Sequence, residues 1–246
     1  MTWLVGMLWV AALPGCGGPA RPEAEIRASR ARPLARARGA CRLRVGAEEH
    51  DAVWLLDGPR WHLAVLGPLR TPTAVLRSDG RGFAVTVGAE HRVAEEASAV
   101  LVASALPTLA DVAGLVAGRL VDRPVRGASF GPDGRAAVAQ QGLGTTWVSL
   151  LGTEGAVEVL SVTADGGRDL FGFSRSPGVL PERMSLTGAG GGVTLSCTWS
   201  ELGEVPATAF ALDPPPGVQR QRLESLGLGL LATLVDSGRL PHRRER

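Results

Sequence analysis

The chain has 246 residues, 45% of them apolar, which is enough for one large domain or two small ones with a buried core. It contains no Lys, Asn or Tyr and a single Ile, Ile26; the missing residues have AT-rich codons, so this is genome bias and not function. The net charge of +2 is unevenly spread, with +6 on residues 17–44 and +3 on 239–246, leaving −7 on 45–238, a balance that argues against a nucleic-acid partner.

Trp3 to Gly15 is an apolar stretch without a charge. It is shorter than the ~20 residues a membrane span needs and has the length of a signal-peptide h-region. Met1-Thr2 carries no basic residue, a departure from the usual n-region that leaves a start further upstream open. The stretch ends in Leu13-Pro14-Gly15-Cys16, which resembles the lipobox of bacterial lipoproteins. That resemblance implies cleavage before Cys16 and acylation of its thiol and new amino group, tying the chain to membrane lipid. The alternative is an ordinary signal peptide followed by a chance cysteine. Residues 16–39 read as the acylated cysteine plus a flexible, Arg-rich linker, solvated or lying against anionic head groups.

From Cys41 onward, short runs of period-two alternation are separated by turns. Arg42–Ala47, Val53–Leu56, Trp61–Leu66, Ala74–Arg77 and Phe83–Val87 read as strands, with a short one near Arg92–Val93. Asp57-Gly58-Pro59, Gly67-Pro68 and Ser78-Asp79-Gly80 supply the reversals. The period then lengthens: Glu95–Ala105 and Leu109–Gly118 read as two short helices separated by Pro107, the second capped by Thr108. Strands resume over Ala136–Ala139, Trp147–Leu151, Ala156–Val162, Leu170–Phe173, Val179–Thr187, Val193–Trp199 and Ala207–Leu212. Gln219–Asp236 reads as a C-terminal helix, weakened by Gly227 and Gly229, before a basic tail. The divisions are therefore 1–15 signal peptide, 16–39 linker, 40–217 domain, and 218–246 helix and tail. A meander, two helices and a second meander imply one strongly curved antiparallel half-barrel sheet, mainly β, with short helices on its concave face.

Cys41 and Cys197 can pair in an oxidising compartment, tying the first strand to a late one. No His or Cys spacing suggests a metal, since His50, His62, His91 and His242 are scattered. Gly127-Ala128-Ser129-Phe130-Gly131 matches the hydrolase pattern GxSxG, but Pro132-Asp133-Gly134 follows where a helix is required, and only His242 lies downstream. Gly188–Gly192 lacks the GKS or GKT of a phosphate loop and reads as a hairpin turn. Glu48-Glu49 and Glu95-Glu96 are sequence neighbours that do not face each other, so they read as solvated surface. The expectation is a protein that performs no bond chemistry and needs no cofactor.

The order of elements, with Trp61–Leu66 running into Gly67-Pro68-Leu69, the Ser78-Asp79-Gly80 turn, Leu106-Pro107 before Leu109–Gly118, and the late runs Leu180–Leu186 and Ala209–Pro215, resembles the LolA/LolB superfamily of periplasmic lipoprotein carriers and outer-membrane receptors. The resemblance covers about Cys41 to Gly217; Leu115 stands where the second helix often has an aromatic, and residues 120–146 have no match. It implies a hollow between sheet and helices that holds acyl chains, with Trp54, Trp61, Leu63, Val65, Val75 and Trp147 as its lining. It implies that Pro68 and Leu69 form a loop whose leucine contacts lipid; the same leucine can instead fold onto the core. The partners implied are lipid or lipoprotein cargo and a soluble periplasmic carrier, with the protein lipid-anchored in the outer membrane and facing the periplasm. The alternative is a non-catalytic interaction lipoprotein with the same fold and a dry core.

Overall fold

In the computed structural model, the described residues are 20–87, 90–94, 107, 111–131, 133, 135–152, 154–188, 191–213 and 220–222. Helix α1 (Ala20–Ala31) precedes six strands: β1 (Arg36–Val45), β2 (Glu48–Asp57), β3 (Arg60–Leu66), β4 (Pro72–Ser78), β5 (Phe83–Val87) and β6 (Glu90–Ala94). Helix α2 (Val112–Val116) leads to seven more: β7 (Val125–Phe130), β8 (Ala136–Gly142), β9 (Thr145–Leu151), β10 (Val157–Ala164), β11 (Asp169–Arg175), β12 (Arg183–Gly188) and β13 (Gly191–Glu201). A 3-10 turn (Ala207–Phe210) and a three-residue strand β14 (Arg220–Arg222) follow.

The strands make one sheet of order β14-β6-β5-β4-β3-β2-β1-β13-β12-β11-β10-β9-β8-β7. Each meander is built from nearest neighbours, and the two are sewn together where β1 pairs antiparallel with β13. Every pairing is antiparallel except β14 with β6. The edges, β7 and β14, do not pair, so the barrel stays open. The curvature follows from what touches: β4 and β11 are six strand spacings apart, about 29 Å on a flat sheet, yet Leu76 and Phe173 line one cavity. Inward faces of both meanders and of α2 share one apolar core. This is the mainly β, open half-barrel that the order of elements implies.

Three differences from the sequence reading have simple causes. The Arg-rich stretch to residue 39 is no loose linker: α1 occupies Ala20–Ala31, and β1 begins at Arg36. Arg36, Arg38, Arg42 and Arg44 alternate outward while Ala37, Cys41 and Leu43 face inward, so the basic run is the wet face of a strand. Residues 29–32 are then pinned to the segment after α2. Ser29 Oγ accepts from the Leu120 N–H at 3.1 Å, Arg30 donates to the Arg123 carbonyl at 2.7 Å, and Arg32 donates to the Ala117 carbonyl at 3.0 Å.

Strand β7 escaped notice because all six residues are exposed and leave no alternation to detect. Conversely, Ala207–Leu212 alternates but forms a 3-10 turn, because both neighbours of β13 are already taken by β1 and β12. At the far end, Arg220–Arg222 is strand where a helix was expected; the rest of that helix, Glu95–Ala105 and Thr108 lie outside the described residues.

The 3-10 turn is a strap on the convex face. Phe210 is buried there, with the Arg60 guanidinium 5.1 Å above its ring. His62 reaches the Ala209 carbonyl at 2.8 Å, so Nδ1 carries the proton, since a carbonyl only accepts. Burial lowers the His62 pKa below its ordinary 6.5; the Ala209 hydrogen bond partly offsets this and the nearby Arg77 adds to it. As pH falls through 6.5 the unfolded chain takes up a proton that the folded one refuses, so the fold loses stability. Urea midpoints at about pH 7.5 and about pH 5 will therefore drop more in the wild type than in His62→Gln. Equal drops in the two proteins would show that His62 contributes nothing to the pH dependence.

Candidate functional site

Between the sheet and α2 lies an apolar cavity. Trp54, Trp61, Leu63 and Leu76 line it from the first meander, and Phe173, Met184, Leu186 and Leu195 from the second. Val112, Leu115 and Val116 close it from above. These three sit on one face of α2 at spacings of three and one, which places all of them toward the sheet. Gly118, at φ +72°, stops the helix and lets the chain turn away over β10.

The cavity is small, ≈ 40 Å³. An apolar cavity of about 150 Å³ admits one benzene, so this interior admits no acyl chain until α2 or the side chains beneath it move. Trp54 and Trp61 have buried indole Nε1–H groups without a hydrogen-bond partner among the described residues. Buried indole N–H groups ordinarily find an acceptor. Here the two donors lie behind the cavity wall, whose surface is wholly apolar.

The candidate residues divide sharply. Trp54, Trp61 and Leu63 line the cavity. Val65 shares their face and joins the core without reaching the cavity. Val75 is a correction: it pairs with Ala64 on the convex face, and Leu76 takes the inward place. In Ala74-Val75-Leu76 three consecutive apolar residues hide the alternation, and a one-residue slip exchanges the faces. Trp147 is fully buried but stands away from the cavity, its ring 3.7 Å under the Arg123 guanidinium and its Nε1 donating to Thr145 Oγ1 at 3.1 Å. Leu115, Val116, Phe173, Met184 and Leu195 went unassigned, although all lie on faces whose period was legible.

Leu69 is 86% exposed on the tight loop after β3, where Gly67 N–H bonds the Thr71 carbonyl at 2.9 Å and Arg70 takes a positive φ of 56°. The structure holds this leucine in solvent and off the core. Cys41 and Cys197 stand directly opposite each other across the β1–β13 seam and form a disulfide. Cys16 lies outside the described residues. Ser129 sits in the exposed edge strand β7, with no strand-to-helix turn around it. Among the described residues no cluster of His, Cys, Asp and Glu is arranged to hold a metal, and no helix is long and apolar enough to cross a membrane.

No protein-family model matches the chain, and no curated protein does. Solved structures do. An outer-membrane lipoprotein-sorting protein domain from Vibrio parahaemolyticus superposes with a TM-score of 0.50 at 11% identity, covering 77% of this chain and 97% of that one. The fold is LolA/LolB-like. A LolA superfamily protein from Nitrosomonas europaea matches at 12% identity with a TM-score of 0.49, covering 77% of this chain and 97% of its own. The lipoprotein LppX of Mycobacterium tuberculosis matches at 11% identity with a TM-score of 0.30, covering 77% and 100%. In the terms of a LolA/LolB-like fold, the cavity described above is the space between half-barrel and helical cover, and Leu69 stands on a loop at the rim of the sheet.

Proposed function

We propose that this chain is a membrane-anchored lipoprotein of the periplasm, acylated at Cys16, that holds acyl chains of lipids or lipoproteins between sheet and α2 and helps deliver them to the outer membrane. The observation that carries the reading is the apolar cavity of a LolA/LolB-like half-barrel, lined by Trp54, Trp61 and facing residues of both meanders. An acyl chain suits a lining that offers only apolar surface. Among the described residues, the five of α2 cover the cavity from above. Leu69, held in solvent by a tight loop, supplies an apolar contact for a membrane surface while its backbone stays wet. No step of this function needs a cofactor or breaks a bond.

One observation favours a second reading. A cavity of ≈ 40 Å³ is close to a packed core, which suits an interaction lipoprotein that uses the same fold without cargo. Native mass spectrometry of the full chain carrying Cys16→Ser, freed of detergent, separates the two. Bound phospholipid or acylated peptide is the expected result. A clean protein mass that also ignores added fatty acyl probes would establish the interaction module. In the carrier, Leu69→Glu should abolish delivery to outer-membrane vesicles while leaving the urea midpoint unchanged; unaltered delivery would remove Leu69 from the mechanism.

A further inference from the structure

A second concavity of ≈ 410 Å³ opens beside the cavity, between the end of α1, the β4–β5 turn and the segment from α2 to Asp122. Its floor is apolar, with Phe83, Leu115 and Val121; its rim carries Arg30, Arg81 and Arg119. Leu115 lines both the groove and the cavity, so its side chain stands where the two meet. The rim is built. Asp79 Oδ1 accepts the N–H groups of Arg81 and Gly82, both at 2.8 Å, and Ser78 Oγ accepts that of Gly80, so the turn fixes Arg81 in place. Arg119 is oriented by donating to the Arg30 carbonyl. Arg30 has a buried Nε–H without a partner among the described residues.

Two carboxylates also face the groove, Asp111 and Asp122. Asp122 is fully exposed and reaches Arg30 only at 4.0 Å, while Asp111 acts on Arg123. The Arg81 guanidinium has no carboxylate partner among the described residues. An arginine rim over an apolar floor matches an amphiphile with an anionic head.

We propose that this groove is the lipid portal, binding the phosphate of an anionic phospholipid head group at Arg81 and Arg30 while an acyl chain passes Leu115 into the cavity. The inference rests on the carrier reading above and names its cargo. The anchor geometry supports it. Four residue steps lead from Cys16 to the start of α1 at Ala20, a reach of at most about 14 Å. The ten helical steps from Ala20 to Arg30 add about 15 Å. A Cys16 acylated as proposed thus keeps the portal within roughly 30 Å of the lipid surface.

The test is extraction of fluorescent phosphatidylglycerol or phosphatidylcholine with identical chains from vesicles, by the full chain carrying Cys16→Ser. Phosphatidylglycerol should be taken about tenfold better, as a charge-assisted contact requires. Arg81→Glu, on an exposed turn, should erase that preference. Gly114→Phe should reduce uptake of both lipids without loss of fold, because a side chain there meets only Arg119 Cβ, at 3.8 Å, and projects into the groove. Equal uptake of the two lipids with Arg81→Glu silent would overturn the portal and leave the carrier standing. No uptake of either lipid would overturn the carrier reading and the portal with it. Binding of glycerol phosphate without lipid uptake would overturn the portal in favour of a soluble phosphate-ester site.

Discussion

Replacing both Cys41 and Cys197 by Ala will cost the protein about 2–5 kcal/mol. The two residues are 156 positions apart in sequence, so the bond closes nearly the whole domain into one loop. In the chain-entropy account the constraint on the unfolded state grows with the logarithm of loop length, reaching about 5 kcal/mol for a loop of this size. The bond also lies on the seam, with Cys41 opposite Cys197 on the two strands that join the meanders. Urea unfolding of the double variant against the oxidised wild type measures the effect. A loss below about 1 kcal/mol would mean that hydrogen bonding along the seam suffices and that the denatured chain is already compact.

The second large effect is expected at Gly118. Its φ of +72° disfavours any side chain, and a Cβ would meet the Arg175 guanidinium and lie 2.9 Å from Ala156 Cβ. Arg175 has little freedom to retreat. It donates to the Gly178 carbonyl, and burial, with Arg32 adding and Glu158 and Glu154 opposing, lowers its pKa to about 10. The Gly118 carbonyl meanwhile accepts from Val157 N–H at 2.7 Å and Ser29 Oγ at 3.5 Å, joining α1, α2 and β10 at one peptide. Gly118→Ala should therefore cost about 2–5 kcal/mol, the left-handed penalty plus overpacking. Gly46→Ala is the control: φ is +58°, but nothing lies within 4 Å, so only the backbone penalty of about 1–2 kcal/mol applies. Similar losses at both positions would show that crowding at Gly118 is relieved by movement.

Much of this fold was legible because half-buried strands declare themselves by period. Phe83–Val87 was read to the residue, and Trp61–Leu66 within one. What failed was read against the wrong signal. Arg36 to Gly39 reads as charge in a linker, although its alternation continues that of the strand from Arg42. The exposed edge strand β7 buries nothing and so leaves no pattern, while the alternating Ala207–Leu212 follows β13, whose two sides are already held by β1 and β12. For the cavity, Trp54, Trp61 and Leu63 follow from alternation, whereas Val75 is buried on the other face, opposite Ala64. The arginine-rimmed groove was not legible at all. Its residues come from four separate segments, at 30–34, 59, 78–83 and 111–122, and no local pattern links them.

The β1–β13 seam has a consequence for how the molecule comes into being. Its first strand waits for a partner that is among the last to be made, so β1 stays an unpaired edge while about 150 residues are added. Each meander assembles from hairpins of short loops, which close in microseconds. The step that joins them closes a very long loop and sets the pace, placing the protein among slow, high-contact-order folders. During that interval the charged outer face of β1, with Arg36 and Arg42 paired to Asp57 and Glu49 of β2 and Arg38 and Arg44 beside them, borders the waiting edge, a protection against pairing with a second unfinished chain.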